Sequence, residues 1–584
     1  MLRGTRSETM VNDHPLSERL AAIDGRDYGA YGSLRGVHHF EGFDLDIDHV
    51  PSDPYAPPGT GVFRVRVATD VVGLIDADLD TLTRDVAVRD HLCRRFHAAA
   101  QRLSRGRRGT GWSGVITVAT PGQAVLDRNA VMIANGVVEV RAFVGLPARG
   151  RRIDADLAER VLLDELPAIV AASLAADTLD RNRLERHVAT VEDARALRAQ
   201  LTEAGLVAFL ADGALLPRAS GVDDRPLRDD AVPLASPDVL RVTLEAPHAG
   251  AVTGLGIPRG VTVIVGGGYH GKSTLLAALA AGVYDHIAGD GRERCVSVTE
   301  TFPVRAAPGR SVAGVDISAF VQGLPDGRDT TRFTTANASG STSQAAAMSE
   351  AIEAGAQVLL VDEDSSATNL LVRDARMQAL VAREDEPITV LLDRVRDLHD
   401  QLGVSTVLVL GGAGDYLDVA DHVIQMVGFA PREVTQRARE VAAALPSRRR
   451  AEAATSLRPP RPRIPAPGTI ETRNEHGKRR VRPVAHDRIL IGSDELDLRD
   501  VADQLTEPAQ TATIAAAIER LADALDGSTT VGDAVGELLA EVSSDGLDAL
   551  DEHRRGRLAE VRALDVAAAL NRLRTLEVVG RSNR

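Results

Sequence analysis

Apolar residues fall along this chain in three rhythms, and each predicts a different kind of structure. Between about residues 15 and 175, short runs such as Val62–Val67 and Val115–Val118 alternate apolar and polar positions. Glycine-rich polar connections separate these runs, and a helical spacing follows from Ile153 onward. A period of two marks strands buried on one face, so this stretch reads as an α+β domain. A helical segment over about 176–205 and the GALLPRASG turn at Gly213–Gly221 lead onward. From about 235 to 445 the strands become unbroken apolar runs, VTVIVGG, AQVLLVDED and STVLVLGG, which alternate with helical segments. A strand apolar on both faces is covered on both faces, which predicts a parallel sheet between layers of helices. The last hundred residues or so, 486–584, return to amphipathic helical spacing, with Gly527 and Gly546 as breaks.

Between these regions, at about 446–483, the composition changes to proline and arginine, with eleven basic residues against three acids. Such a segment suits no core and is read as a linker. The expected division is therefore residues 1–175, an amino-terminal α+β domain; 176–445, an α/β domain; 446–485, a basic linker; and 486–584, a small helical domain. The composition, 44% apolar and 26% charged over 584 residues, excludes both a single small module and a disordered chain. A net charge of −15 excludes a general nucleic-acid coat, and one tryptophan, Trp112, excludes an extended base-stacking surface. Two distant cysteines, Cys93 and Cys295, and an amino terminus without an apolar leader predict a reducing cytoplasm. No apolar stretch approaches membrane-spanning length, and no Cys or His stands at zinc spacing, His38 and His39 being adjacent.

The chemistry concentrates in one motif. Gly266, Gly267, Gly268, Tyr269, His270, Gly271, Lys272, Ser273 and Thr274 fit G-x-x-x-x-G-K-[ST] between the strand Val261–Val265 and the helix Leu275–Ala280. Glycines there let backbone N–H groups turn onto phosphate oxygens, Lys272 reaches the β- and γ-phosphates, and Ser273 ligates Mg²⁺. His270 either contacts phosphate or holds the loop. About ninety residues later an apolar strand ends in Asp362 and Glu363, the first suited to Mg²⁺ and the second to activating water. Between the two motifs Ser339, Gly340 and Ser341 precede the helix Ala345–Glu353 as a second anion site at a helix start.

The order of these motifs resembles ATPases of the ABC class. GGGYHGKSTLL, GVYDHIAGDGRE, ASGSTSQAA, VDEDSSATNLLVRD, EPITVLLDRV and GGAGDYLDVAD are similar to one bacterial family within it, the predicted ATPase of the ABC class. GLPARGRR, LPRASG and the carboxy-terminal NRLR extend the likeness to nearly the whole chain, and a kinetoplastid mitochondrial RNA-binding ATPase is similar to this family. The resemblance implies an α/β, ABC-type P-loop core with an amino-terminal domain and a small, mostly helical carboxy-terminal domain. It also implies ATP with Mg²⁺ as cofactors, and a homodimer in which the Ser339–Ser341 signature of one copy closes over the γ-phosphate of the other. Ordinary members of the class end the next strand in a histidine, whereas this chain has Gly411-Gly412-Ala413-Gly414-Asp415, which lowers the expected hydrolysis rate. Asp415 either orients water or metal in that place or caps a turn. Gln322 stands where either a metal-contacting glutamine or a plain surface residue would sit.

Local arginine clusters provide for a partner. Arg102, Arg105, Arg107 and Arg108 form one, and Arg149, Arg151 and Arg152 another; likeness to an RNA-binding relative makes both an expected RNA-contacting surface, against the plainer reading of solvated charge. No base-reading motif accompanies them, so contact would be to backbone or shape. The competing expectation is a slow ATP-dependent switch or scaffold acting on protein partners. A transporter subunit is disfavoured by the large domains flanking the core.

Overall fold

Branched apolar side chains suit a strand covered on both faces. Val261–Val265, Val358–Asp362 and Ser405–Val409 form such strands. In the computed structural model, which describes residues 15–51, 59–453, 456–501 and 504–579, they lie side by side. The stretch read for a leader falls largely outside these residues. The six-stranded sheet runs Thr301–Val304, Val358–Asp362, Ser405–Val409, Val261–Val265, His422–Val427, Ala430–Glu433, parallel but for the last strand. Alternate residues feed two separate cores. Val263, Leu359, Leu408 and Val423 pack with the helices Gly340–Glu353 and Val395–Leu402. Ile264, Leu360, Val407 and Ile424 pack with the helix Lys272–Ala281 and with an antiparallel sheet of Arg241–Ala246, Gly250–Pro258, Leu206–Ala211 and Cys295–Ser297.

The chain divides into two compact units: Met1–Pro121, Asp127–Glu185 and His553–Leu558 form one, and Gly122–Leu126, Arg186–Glu552 and Ala559–Arg584 the other. The first is an antiparallel sheet ordered Gly36–Phe40, Phe43–His49, Gly61–Ala68, Val137–Val144, Ile116–Thr117, accompanied by the helix Leu82–Leu103. Thr81 caps that helix by accepting the Arg84 N–H at 3.2 Å. Asn129 ties in the late segment, accepting the Leu558 N–H at 2.8 Å and donating to the Leu558 carbonyl at 3.1 Å.

The second unit holds both the parallel sheet and the carboxy-terminal region. That region contains the helices Pro508–Ala524, Val531–Asp545 and Ala563–Leu570, preceded by a three-stranded antiparallel sheet, Val481–Ala485, Arg488–Ile491 and Asp494–Asp497, that helical spacing did not announce. Nor do all the basic residues of the 446–485 stretch behave as solvated linker charges. Arg449 pairs with Asp393 at 2.7 Å, and buried Arg463 pairs with Glu353 and donates to Asn571 Oδ1 at 2.8 Å. The acids that hold them, Asp393 and Glu353, belong to the α/β region and lie far off in sequence, so composition within the stretch could not reveal them. Among the described residues no helix is long and apolar enough to cross a membrane.

Candidate active site

Parallel strands present their carboxyl ends at one edge of the sheet, and there the sequence-predicted residues meet. Gly266 leaves the strand Val261–Val265 at φ +146°, and a Cβ on it would stand 2.5 Å from the Met426 carbonyl oxygen. Only glycine accepts that conformation and that approach. Tyr269 crests the loop at φ +62°, fully exposed, and Gly271 at φ +91° turns the chain into the helix Lys272–Ala281. The ten-residue helix therefore opens with its N–H groups on the loop. His270 faces sideways, its Nδ1 accepting the Gly428 N–H at 2.8 Å, so it braces the loop against the hairpin after His422–Val427.

Lys272 Nζ donates to the carbonyls of Gly266 and Gly267, both at 2.9 Å. Ser273 Oγ donates to Asp362 Oδ2 at 3.1 Å, joining the two motifs across eighty-nine residues. Glu363 points to the strand beyond, its carboxylate accepting the N–H groups of Gly411 and of Gly412, the latter at 3.0 Å. The glycines that replace the expected histidine thus orient the acid with two backbone donors. Asp415 is the second residue of a short 3-10 turn, Gly414–Asp418; Tyr416 within it is buried, and its hydroxyl donates to the Leu371 carbonyl at 2.9 Å.

The helix foreseen from Ala345 begins five residues earlier, at Gly340, because Ser339 caps it by accepting the Thr342 N–H at 3.3 Å. Its open end carries exposed Ser339, half-buried Gly340 and buried Ser341. Sequence reasoning missed Gln344 on this helix. Fully buried, it donates to Ser366 Oγ at 2.9 Å and accepts the Ala367 N–H at 2.8 Å, and Ser366 Oγ donates to the Asp362 carbonyl at 2.7 Å. No local pattern distinguishes this glutamine; its partners lie more than twenty residues away. Gln322 donates to the Ser318 carbonyl at 2.7 Å.

In the other unit the two arginine clusters come together. The Thr110 N–H donates to the Ala148 carbonyl at 2.9 Å, and the Gly150 N–H donates to Thr110 Oγ1 at 2.8 Å. Arg149 and Arg152 oppose one another across a two-residue hairpin, an arrangement of like charges that costs stability. Arg107 lies over the half-exposed ring of Trp112, 4.6 Å from its centroid, and Arg102, Arg105 and Arg152 are exposed. Arg108 stands apart, turned onto buried Glu165 at 2.7 Å. Exposed Arg149 pairs with Asp154 at 2.7 Å, and Arg151 is half-buried.

Three family models match this chain. The P-loop domain of the ABC ATPases covers residues 180–463, the N-terminal domain of the ATPase of the ABC class covers 13–177, and the MRB1590 C-terminal domain covers 480–579. The chain is 31% identical over 229 residues to an uncharacterized protein of Methanocaldococcus jannaschii; the match takes in 38% of this chain and 50% of that protein. It thus spans half the length of the curated relative it matches. Among solved structures it is similar to cbiO1 of Clostridium perfringens, part of an ABC transporter complex, with 14% identity and a TM-score of 0.25 over 41% of this chain and 96% of that one. It is also similar to an ATP-binding cassette of an ABC transporter in its ADP conformation, with 12% identity and a TM-score of 0.21 over 33% of this chain and 88% of that one.

Proposed function

We propose that this chain, which belongs to the ATPases of the ABC class, binds ATP with Mg²⁺ at its phosphate loop and hydrolyses it, coupling closure of two copies to capture of RNA or another polyanion. The observation that carries the reading is the line of contacts from Ser273 through Asp362 and Glu363 to Gly411 and Gly412. Mg²⁺ keeps several waters and takes one or two protein oxygens beside the phosphates, a demand that the Ser273–Asp362 pair fits. When bound, the ion neutralises charge developing on the β- and γ-oxygens. Lys272 exchanges loop carbonyls for phosphate oxygens, for which its three donors are suited. Glu363 takes the proton of the attacking water while the two glycine amides hold its carboxylate in line. These amides orient without adding a cation near the γ-phosphate, which supports slow turnover.

One phosphate loop per chain and the hydroxyl-rich helix start at Ser339–Ser341, with Ser339 exposed, support a homodimer that closes on ATP. The joined arginine hairpin and loop support a polyanion partner bound through its phosphates. A slow switch acting on protein partners is the second reading, favoured by Arg108 and Arg149 being neutralised internally and by the net charge of −15.

Steady-state ATP hydrolysis with and without RNA, at two salt concentrations, tests both. Glu363→Gln retains nucleotide but loses roughly 10²–10⁴-fold in turnover, the typical worth of a general base. Lys272→Ala loses nucleotide binding. Equal hydrolysis by all three proteins refutes the assignment, and a rate indifferent to RNA selects the protein-partner switch over the RNA reading.

A further inference from the structure

The phosphate loop accounts for only part of a nucleotide, and no aromatic residue stands in the strand or turn before it to carry a base. Backbone strain marks another place. Among the described residues the non-glycines with positive φ are Asn135, Asp230, Tyr269, Phe429 and Arg554. Asparagine tolerates this region, whereas a bulky aromatic does so only when its surroundings impose it, and such residues gather at ligand sites. Tyr269 belongs to the phosphate loop itself. Asp230 and Phe429 both line a cavity of about 100 Å³ that also touches Gly271 and Thr274.

Phe429 is the second residue of the two-residue turn Gly428-Phe429 between His422–Val427 and Ala430–Glu433, with φ +56° and +70°. A turn with both central φ positive ordinarily places glycine or asparagine at such positions. Here a phenyl ring stands in one of them, 54% exposed, 3.2 Å from where a Cβ on Gly271 would be. The Gly428 N–H bonded to His270 Nδ1 lashes this turn to the loop. Leu216, Pro217 and Val232 supply apolar surface to the same cavity. It is far smaller than the roughly 300–1,000 Å³ of a pocket that swallows a ligand whole, and serves instead as a floor for a flat ring. Lys272 and Ser273 mark the β/γ end of a bound triphosphate, so its α-phosphate and ribose leave along the helix past Thr274, toward the cavity.

We infer that Phe429 is the platform on which the base of the bound nucleotide stacks. This rests on reading the loop as a nucleotide site, and the experiment separates the two. Calorimetric titration of the full chain with ATP and with inorganic tripolyphosphate, in the presence of Mg²⁺, compares wild type with Phe429→Ala, Phe429→Tyr, Phe429→Gly and Lys272→Ala. Loss of one stacked base weakens ATP binding by about 5- to 100-fold in Phe429→Ala and leaves tripolyphosphate binding as it was. Phe429→Tyr retains ATP affinity. Phe429→Gly loses affinity as Phe429→Ala does, yet melts no lower than wild type, because glycine adopts the positive φ without strain. Unchanged ATP affinity in Phe429→Ala, with Lys272→Ala binding neither ligand, overturns the platform and leaves the ATPase reading standing. Equal weakening of both ligands by Phe429→Ala also overturns it, since the residue would then be shaping the loop. Failure of wild type to bind either ligand overturns both.

Discussion

Gln344 joins the helix that Ser339 caps to the loop that carries Asp362 and Glu363, and on the proposed reading substituting it separates binding from turnover. Its amide donates to Ser366 Oγ at 2.9 Å and accepts from the Ala367 N–H at 2.8 Å, while the single Ser366 hydroxyl proton is committed to the Asp362 carbonyl at 2.7 Å. In Gln344→Glu one oxygen still accepts from Ala367, but the other faces Ser366 as a second acceptor. The hydroxyl must then turn from Asp362 to the new carboxylate, and the backbone of Asp362 and Glu363 loses its tether. A displacement of about 1 Å in a catalytic group costs on the order of 100-fold, so kcat falls about 10- to 100-fold. Lys272 and the phosphate-loop backbone keep their contacts, so nucleotide affinity stays within about threefold, a difference under 1 kcal/mol. Gln344→Ala adds instability: Ser366 Oγ and the Ala367 N–H each lose a partner, at about 1–3 kcal/mol apiece. Steady-state turnover, nucleotide titration and urea denaturation on the same preparations read all three quantities. Wild-type kcat in Gln344→Glu, or kcat and affinity falling together, refutes the coupling.

Two further perturbations test the frame of the site. Gly266→Ala forces a Cβ to within 2.5 Å of the Met426 carbonyl at φ +146°, so it costs about 2–3 kcal/mol of strain and abolishes ATP binding, read by melting temperature and titration. Asp285 is buried between Arg195 at 2.9 Å and Arg198 at 2.6 Å; burial alone would raise its pKa, but the two guanidinium groups outweigh that and hold it below its ordinary 3.8. A depressed carboxylate contributes stability that is complete above 3.8 and is lost as pH falls through its lower folded value. Urea denaturation between pH 6 and 2.5 therefore shows a smaller acid-side loss in Asp285→Asn than in wild type, and this variant is less stable by about 1–3 kcal/mol at neutral pH because two part-buried guanidinium groups lose their carboxylate partner.

The sequence by itself determined whatever depends on neighbours along the chain. The conformation of the phosphate loop is written in the positions of Gly266 and Gly271, the strands of the central sheet in unbroken runs such as Val261–Val265 and Val358–Val361, and the acid pair in its place at the end of one run. Even the early start of the helix at Gly340 had its signal, since Ser339 is a residue type suited to an N-cap. Partners distant in the chain were decided only by the tertiary structure. Glu363 meets Gly411 and Gly412 across nearly fifty residues because sheet order sets their strands side by side. Gln344 meets Ser366, Arg463 meets Glu353, and Phe429 meets Gly271 for the same kind of reason. Arg107 and Arg108 are adjacent and chemically identical in the sequence, yet one lies over Trp112 and the other is turned onto Glu165. Periodicity records which face of an element is buried; it does not record which element arrives to cover it, because that depends on loop closure and strand order summed over the whole chain.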